Sequence, residues 1–227
     1  CYAMAPFLSM RALEQIKCGP GIMNLPICLI SVGVGIGYCD SGPTHYVTEE
    51  YACLRSIVGS NVYTASDAIV AKNIARRLLE RPEFAYVRLD RDELPDIYDQ
   101  IDSYGLTRDV AVHNPKESGF KLLISHGKMS HVCKEISDTN DNFAFADIIE
   151  LTEQITKCDG IVVVDEQTPS GSLSSAVWEW TSNNGLFPKI KSVTLPEMYV
   201  FENGGREYLL NKNNLSRENI ISQSQRF

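Results

Sequence analysis

The apolar run Leu25-Pro26-Ile27-Cys28-Leu29-Ile30-Ser31-Val32 passes into a glycine-rich link, Gly33, Gly35 and Gly37, and an amphipathic stretch, Val47 to Val58, follows. A run with so few polar side chains reads as a strand covered on both faces, the environment of a parallel sheet. Strand, tight loop and helix in that order build open α/β sheets, which place ligands at the C-terminal ends of their strands. Glycines in such a loop let the backbone come close to a bound group. The loop itself contains Asp40-Ser41-Gly42-Pro43-Thr44-His45. His45 stands where a proton donor or hydrogen-bond partner is useful. The competing reading is a surface turn that happens to carry a histidine.

The alternation continues along the chain. Phe7, Met10, Leu13 and Ile16 recur at helical spacing and predict a helix over 7–18. Val70, Ile74 and Leu78 share one face of a helix over 67–79, with Arg76 and Arg77 toward its last turn. A second strand is expected at 84–89. Residues 93–118 are polar and punctuated by Pro95 and Pro115, the character of a linker. A strand at 120–125 then ends in His126-Gly127, and a short helix over 129–136 follows. After an amphipathic helix over 147–156 comes a buried strand at 161–164, which leads into Asp165-Glu166. Ser170-Gly171-Ser172 opens a helix through Trp180, with serine as its cap. A strand near 190–195 and a helix over 215–221 close the chain. The expected fold class is α/β: two domains, 1–92 and 119–227, each a mostly parallel β-sheet covered by helices.

Composition bounds the function. At 227 residues the chain is long for one core and suits two modest domains. A net charge of -8 gives no basic footprint for nucleic acid. No apolar run approaches the ~20 residues that span a membrane. No basic region leads into an apolar core at the start, so no signal peptide is expected. The seven cysteines include no C-x-x-C pair, which leaves zinc and thioredoxin-like readings without support. Cys28 in a strand and Cys53 in a helix read as free buried thiols, suited to a reducing cytoplasm.

Five segments in order carry a family resemblance: Pro6 to Lys17; Gly42-Pro43-Thr44-His45; Glu49-Glu50 with Leu54-Arg55; Val62-Tyr63-Thr64-Ala65-Ser66-Asp67; and Tyr86-Val87-Arg88-Leu89-Asp90-Arg91. The first resembles the helix after the cofactor-facing loop of transketolases, and the fourth their V-x-x-P-A-D turn. The resemblance covers most of 1–100 and returns at 119–185. There, Val163-Val164-Asp165-Glu166-Gln167 and the later Ser170-Gly171-Ser172-Leu173-Ser174-Ser175-Ala176-Val177 resemble the family's C-terminal domain. It implies a partial pyrimidine-binding domain at 1–92 and a transketolase C-terminal-like domain at 119–227. The stretch between His131 and Asp147 looks shorter than the family usually has.

Transketolases divide thiamine diphosphate between two domains, one holding the diphosphate and Mg2+, the other the aminopyrimidine ring. The resemblance implies that this chain is the pyrimidine side and that the metal belongs to a domain absent from it. No G-D-G followed by a distal asparagine occurs. The family's cofactor-activating glutamate would stand upstream of residue 1, so the isolated chain is expected to be inactive. The implied partners are a diphosphate-binding subunit or domain, in a homodimer or heterotetramer, and a phosphorylated sugar. The implied reaction is transfer of a two-carbon ketol unit between sugar phosphates. The alternatives are a 1-deoxy-D-xylulose-5-phosphate synthase-like enzyme, a 2-oxo-acid dehydrogenase β-chain-like enzyme, and a non-catalytic scaffold subunit of such a complex.

The resemblance also assigns residues. Phe7 matches the aromatic that packs on the aminopyrimidine, apt for a flat heterocycle; otherwise it is a core phenylalanine. Met10 and Leu13 stand where transketolases commonly have two further aromatics. His45, the catalytic candidate, matches the histidine that reaches substrate oxygens. The family's aspartate before G-P-T-H falls on Ser41, with Asp40 one place earlier, which bears on the preferred hydroxyl stereochemistry. Arg91 matches an arginine that binds substrate phosphate through its donor fork. Arg88, inside the strand, is its rival and could instead pair with a carboxylate. Position 33, a histidine in many transketolases, is glycine. His126 reads as structural or interfacial.

Overall fold

The first apolar runs form the centre of a parallel sheet. The computed structural model describes residues 1–97, 112–113, 116–146 and 152–226. It divides into two units, Cys1–Leu106 with Tyr199–Leu209, and Thr107–Met198 with Leu210–Phe227. Tyr199–Leu209, expected within the domain at 119–227, thus clusters with the first unit.

In the first unit four strands, β1 (Tyr2–Met4), β2 (Cys28–Val32), β3 (Asn61–Thr64) and β4 (Ala85–Leu89), run parallel in the order β1-β2-β4-β3. Both faces are covered, as the continuous apolarity of β2 and β4 predicts. Leu29 and Tyr86 pack with Ile16, Leu54 and Phe84 on one side, and Val87 with Ala65 and Ile74 on the other. Asp67 starts the helix opposite, α4 (Ala68–Glu80), by accepting from the Val70 amide at 2.7 Å. The amphipathic stretch after the loop is helical only over α3 (Glu50–Arg55).

The helix expected over 7–18 is broken. It runs as α1 (Ala5–Leu8), a 3-10 turn (Met10–Ala12), α2 (Leu13–Ile16) and a π turn (Lys17–Ile22) that contains Pro20. The cause lies at Ser9, fully buried at φ -123° and ψ -89°, whose hydroxyl donates to the Ala5 carbonyl at 2.6 Å. A local side-chain bond of this kind competes with the helix ladder.

The second unit holds five strands in the order β5-β7-β6-β8-β9: β5 (Val112–His113), β6 (Lys121–Ser125), β7 (Phe143–Ala146), β8 (Gly160–Asp165) and β9 (Ile190–Thr194). Among these described strands, only β5, which falls in the stretch read as linker, is antiparallel to its neighbour. The expected fold class of two mostly parallel sheets with helices therefore holds. Strand β7 lies in the stretch between His131 and Asp147. The helices are α5 (Lys128–Thr139), α6 (Thr152–Lys157), α7 (Leu173–Asn183) and α9 (Arg217–Ser224), while α8 (Arg206–Lys212) begins in the segment that clusters with the first unit; residues 147–151 of the expected helix 147–156 lie outside the described residues. Ser172 precedes α7, but the Leu173 amide donates to Asp165 Oδ2, and the Ser172 hydroxyl donates to Pro169 O. The other Asp165 oxygen lies 2.8 Å from His126 Nε2. These pairings tie the ends of β6 and β8 to the start of α7. Among the described residues no helix is long and apolar enough to cross a membrane.

Candidate functional site

The loop that leaves β2 is shaped by a close approach of backbone to side chain. Gly33 extends the strand, its amide donating to Leu89 O at 3.0 Å. It does so at φ +84°, and a Cβ there would lie 2.0 Å from the Tyr38 ring. Both the backbone and the tyrosine exclude a histidine, which accounts physically for glycine at position 33. Cys39–Ser41 forms a 3-10 turn, and Gly42 follows at φ 75°. The amides of His45 and Tyr46 both donate to Gly42 O, at 2.9 and 3.1 Å. The Gly42-Pro43-Thr44-His45 segment is therefore a closed turn with a fixed direction.

That turn brings His45 to Phe7. Their ring centroids are 5.7 Å apart at an interplanar angle of 83°, an edge-to-face contact. The Phe7 ring is 39% exposed, so it is not the core phenylalanine of the competing reading. The Arg11 guanidinium lies 4.3 Å from the Phe7 centroid, and its Nη2 donates to Thr44 O at 2.9 Å. Thr44 Oγ1 and His45 Nδ1 are 2.9 Å apart. Sequence reasoning missed Arg11 as part of this cluster. Its spacing of four from Phe7 was the available signal. An open groove of about 970 Å³ continues past Arg11, lined by Met10, Leu13, Glu14, Cys53 and Ile57 among others.

The same loop meets the end of β4 at a second cluster. Arg91 Nη1 donates to Asp40 Oδ1 at 2.7 Å and to Gly37 O at 3.3 Å, and its guanidinium lies 4.7 Å from the Tyr38 centroid. The hydrogen bond from Arg91 holds the Asp40 carboxyl below its ordinary range. Both side chains are well exposed, so the pair is weak and open to competition by another anion. Ser41, also exposed, is the next residue of the turn. Arg88 is used elsewhere: its Nε donates to Glu50 Oε1 and its Nη1 to Thr64 Oγ1, both at 2.9 Å, with the Tyr51 ring 5.1 Å away. It pairs with a carboxylate, as the strand position suggested, and it is buried. Phe7 with His45, and Asp40 with Arg91, are thus two contact groups on one loop.

An exposed aromatic, an imidazole and a guanidinium lie beyond the C-terminal ends of parallel strands, where open α/β sheets place their ligands. Residues 2–96 match the family described as transketolase, pyrimidine binding domain. That match covers the first part of the chain, and over its length the chain is similar to C-terminal parts of transketolases. It is 24% identical over 219 residues to a subunit of the apulose-4-phosphate transketolase of Phocaeicola vulgatus, covering 89% of this chain and 68% of that protein. It is 25% identical over 227 residues to a putative transketolase C-terminal section of Methanocaldococcus jannaschii, covering 96% and 71%. In fold it is similar to a solved structure described as a split gene transketolase, inactive beta4 tetramer. That match has a TM-score of 0.81 at 20% identity and covers 99% of this chain and 74% of the other.

Proposed function

We propose that the chain is the pyrimidine-side and C-terminal subunit of a thiamine-diphosphate-dependent transketolase-like enzyme, which moves a two-carbon ketol unit between phosphorylated sugars. The observation that carries this reading is the Phe7–His45 contact beside the open groove. A ring that is partly exposed on the protein surface, flanked by a hydrogen-bonding imidazole, fits a flat polar heterocycle seated from outside. When bound, thiamine diphosphate would supply the nucleophilic carbon that accepts and releases the two-carbon unit. Phe7 would pack on its aminopyrimidine. Arg11, now over the Phe7 ring, would border the same heterocycle.

His45 would meet substrate oxygens. With Nδ1 beside the Thr44 hydroxyl, Nε2 is the nitrogen that would face them, donating or accepting as the tautomer dictates. Arg91 would hold the substrate phosphate: a dianion offers its fork more charge than the single exposed carboxylate of Asp40 does. Asp40 would then turn to the sugar hydroxyls together with Ser41. The diphosphate and its Mg2+ would be held by a partner subunit or domain. The likeness to one subunit of a multi-subunit transketolase and to a split-gene transketolase supports a partnered chain.

Calorimetry tests this reading. Thiamine diphosphate with Mg2+ should bind the complex with a diphosphate-binding subunit and give no resolvable heat with this chain alone. Phe7→Ala in the complex should weaken binding on the order of tenfold, the worth of one aromatic stack. Tight binding by the isolated chain, or an unchanged Phe7→Ala complex, would overturn it.

A further inference from the structure

Arg91 is the middle residue of a turn flanked by two aspartates, an unfavourable setting for a group that must receive an anion. The Asp92 amide donates to Asp90 Oδ1 at 2.8 Å and closes the turn. Asp90 is in turn gripped by Arg206, 116 residues away. Arg206 Nη1 donates to Asp90 Oδ1 at 2.6 Å and Nη2 to Asp90 Oδ2 at 2.9 Å, a two-pronged pair in which both side chains are at most 6% exposed. Arg206 Nη1 also reaches Asp92 Oδ2 at 3.1 Å.

Arg206 lies in the segment Tyr199–Leu209, which fastens to the loop of His45 as well. Tyr46 OH donates to Val200 O at 3.2 Å and accepts from Val200 N at 2.7 Å. One distal segment therefore holds both the residue after His45 and the residue before Arg91.

We infer that Arg206 is a positioning residue for anion binding: it engages the aspartates on either side of Arg91 and fixes the turn that presents it. The inference rests on the proposed role of Arg91 at a phosphate. Two physical effects support it. The fork-to-carboxylate geometry fixes direction as well as distance, so Asp90, and through it the turn, has one orientation. Arg206 also offsets negative charge where a phosphate would approach. Without it, the carboxylates of Asp90 and Asp92 would add to that of Asp40 around Arg91 and oppose an incoming anion.

The test uses the complex with its diphosphate-binding subunit, with Arg206→Gln and Arg206→Lys. Activity is measured with ribose 5-phosphate and with unphosphorylated ribose as acceptors. Arg206→Gln should raise KM for ribose 5-phosphate on the order of tenfold, the scale of one charge-assisted hydrogen bond. It should leave kcat and the KM for ribose nearly unchanged. Arg206→Lys keeps the charge but not the fork, and should fall between wild type and Arg206→Gln. Equal losses on both acceptors, or in kcat alone, would overturn the inference.

Amide hydrogen exchange of the same variants, on the chain by itself, separates this idea from the reading beneath it. Exchange in Leu89–Asp92 should quicken in both variants, while β6 and β8 keep their protection. Unchanged exchange there sinks the positioning role even if the enzyme is active. Quickened exchange in the chain, together with a complex that transfers no ketol group, upholds the positioning and rejects the proposed function. Should Arg206→Gln not fold, Arg206→Lys decides both measurements, since it keeps the buried Asp90 compensated.

Discussion

Replacing Glu50 by glutamine tests how the first sheet is held together. Glu50 Oε1 accepts from Arg88 Nε at 2.9 Å, and the two side chains are 0% and 2% exposed. The substitution leaves the Arg88 guanidinium charged and buried, with the Thr64 hydroxyl and the Tyr51 ring still beside it. Removing one partner of a buried pair costs about 3–5 kcal/mol, because the other charge stays out of water. Glutamine keeps one carbonyl acceptor, which places the expected loss at the lower end, about 3 kcal/mol. With a urea dependence of about 2 kcal/mol per molar, the midpoint should fall by about 1.5 M. Both tryptophans, Trp178 and Trp180, lie in α7 of the second unit, so the transition must be followed by tyrosine near-UV circular dichroism. Tyr51 and Tyr86, both buried in the first unit, supply that signal. A shift below about 0.3 M would refute the claim that this pair is costly to break. Glu50→Leu combined with Arg88→Met should recover much of the loss, because burying no charge removes the desolvation term.

Further outcomes follow from single positions. Gly33→His should destabilise the chain by about 2 kcal/mol or more, from the positive φ and the Tyr38 ring together, read as a fall in thermal midpoint; an unchanged midpoint would mean that neither constrains the loop. Asp40 should titrate in NMR below its ordinary value of 3.8, and Arg91→Ala should return it upward. The sign is that of a lowered carboxyl: the pair contributes above the unfolded pKa and is lost as pH falls through the folded one. Burial pushes the Cys133 thiol up to about 12, so a maleimide at neutral pH should spare Cys133 and label exposed Cys1 and Cys18, as mass spectrometry would show. Labelling of Cys133 at the rate of Cys18 would mean that α5 opens readily.

Much of both sheets could be read from residue pattern, because β2, β4, β6 and β8 are short apolar runs that nothing but a covered parallel strand explains. The missed strands have weaker signatures. β1 is three residues long, β3 sits inside a motif read as a turn, and β7 is Phe143-Ala144-Phe145-Ala146, with no β-branched residue. The break in the first helix depends on one serine hydroxyl, and spacing carries no sign of it. At the site, the glycines and the Gly-Pro-Thr-His order marked the loop. The different surroundings of Arg88 and Arg91 followed from one lying within a strand and the other beyond its end. Arg206 had no local signal, since its partner is 116 residues away and only the fold brings the two together.

The most direct measurement is ketol transfer from a ketose phosphate to an aldose phosphate by the complex with a diphosphate-binding subunit and the segment that supplies the activating glutamate, comparing wild type with His45→Ala. The account predicts turnover by the wild type and a loss on the order of a hundredfold in His45→Ala with cofactor binding retained, the scale of one positioned acid–base group. A complex that binds thiamine diphosphate yet transfers nothing, or equal rates in the two proteins, would contradict it.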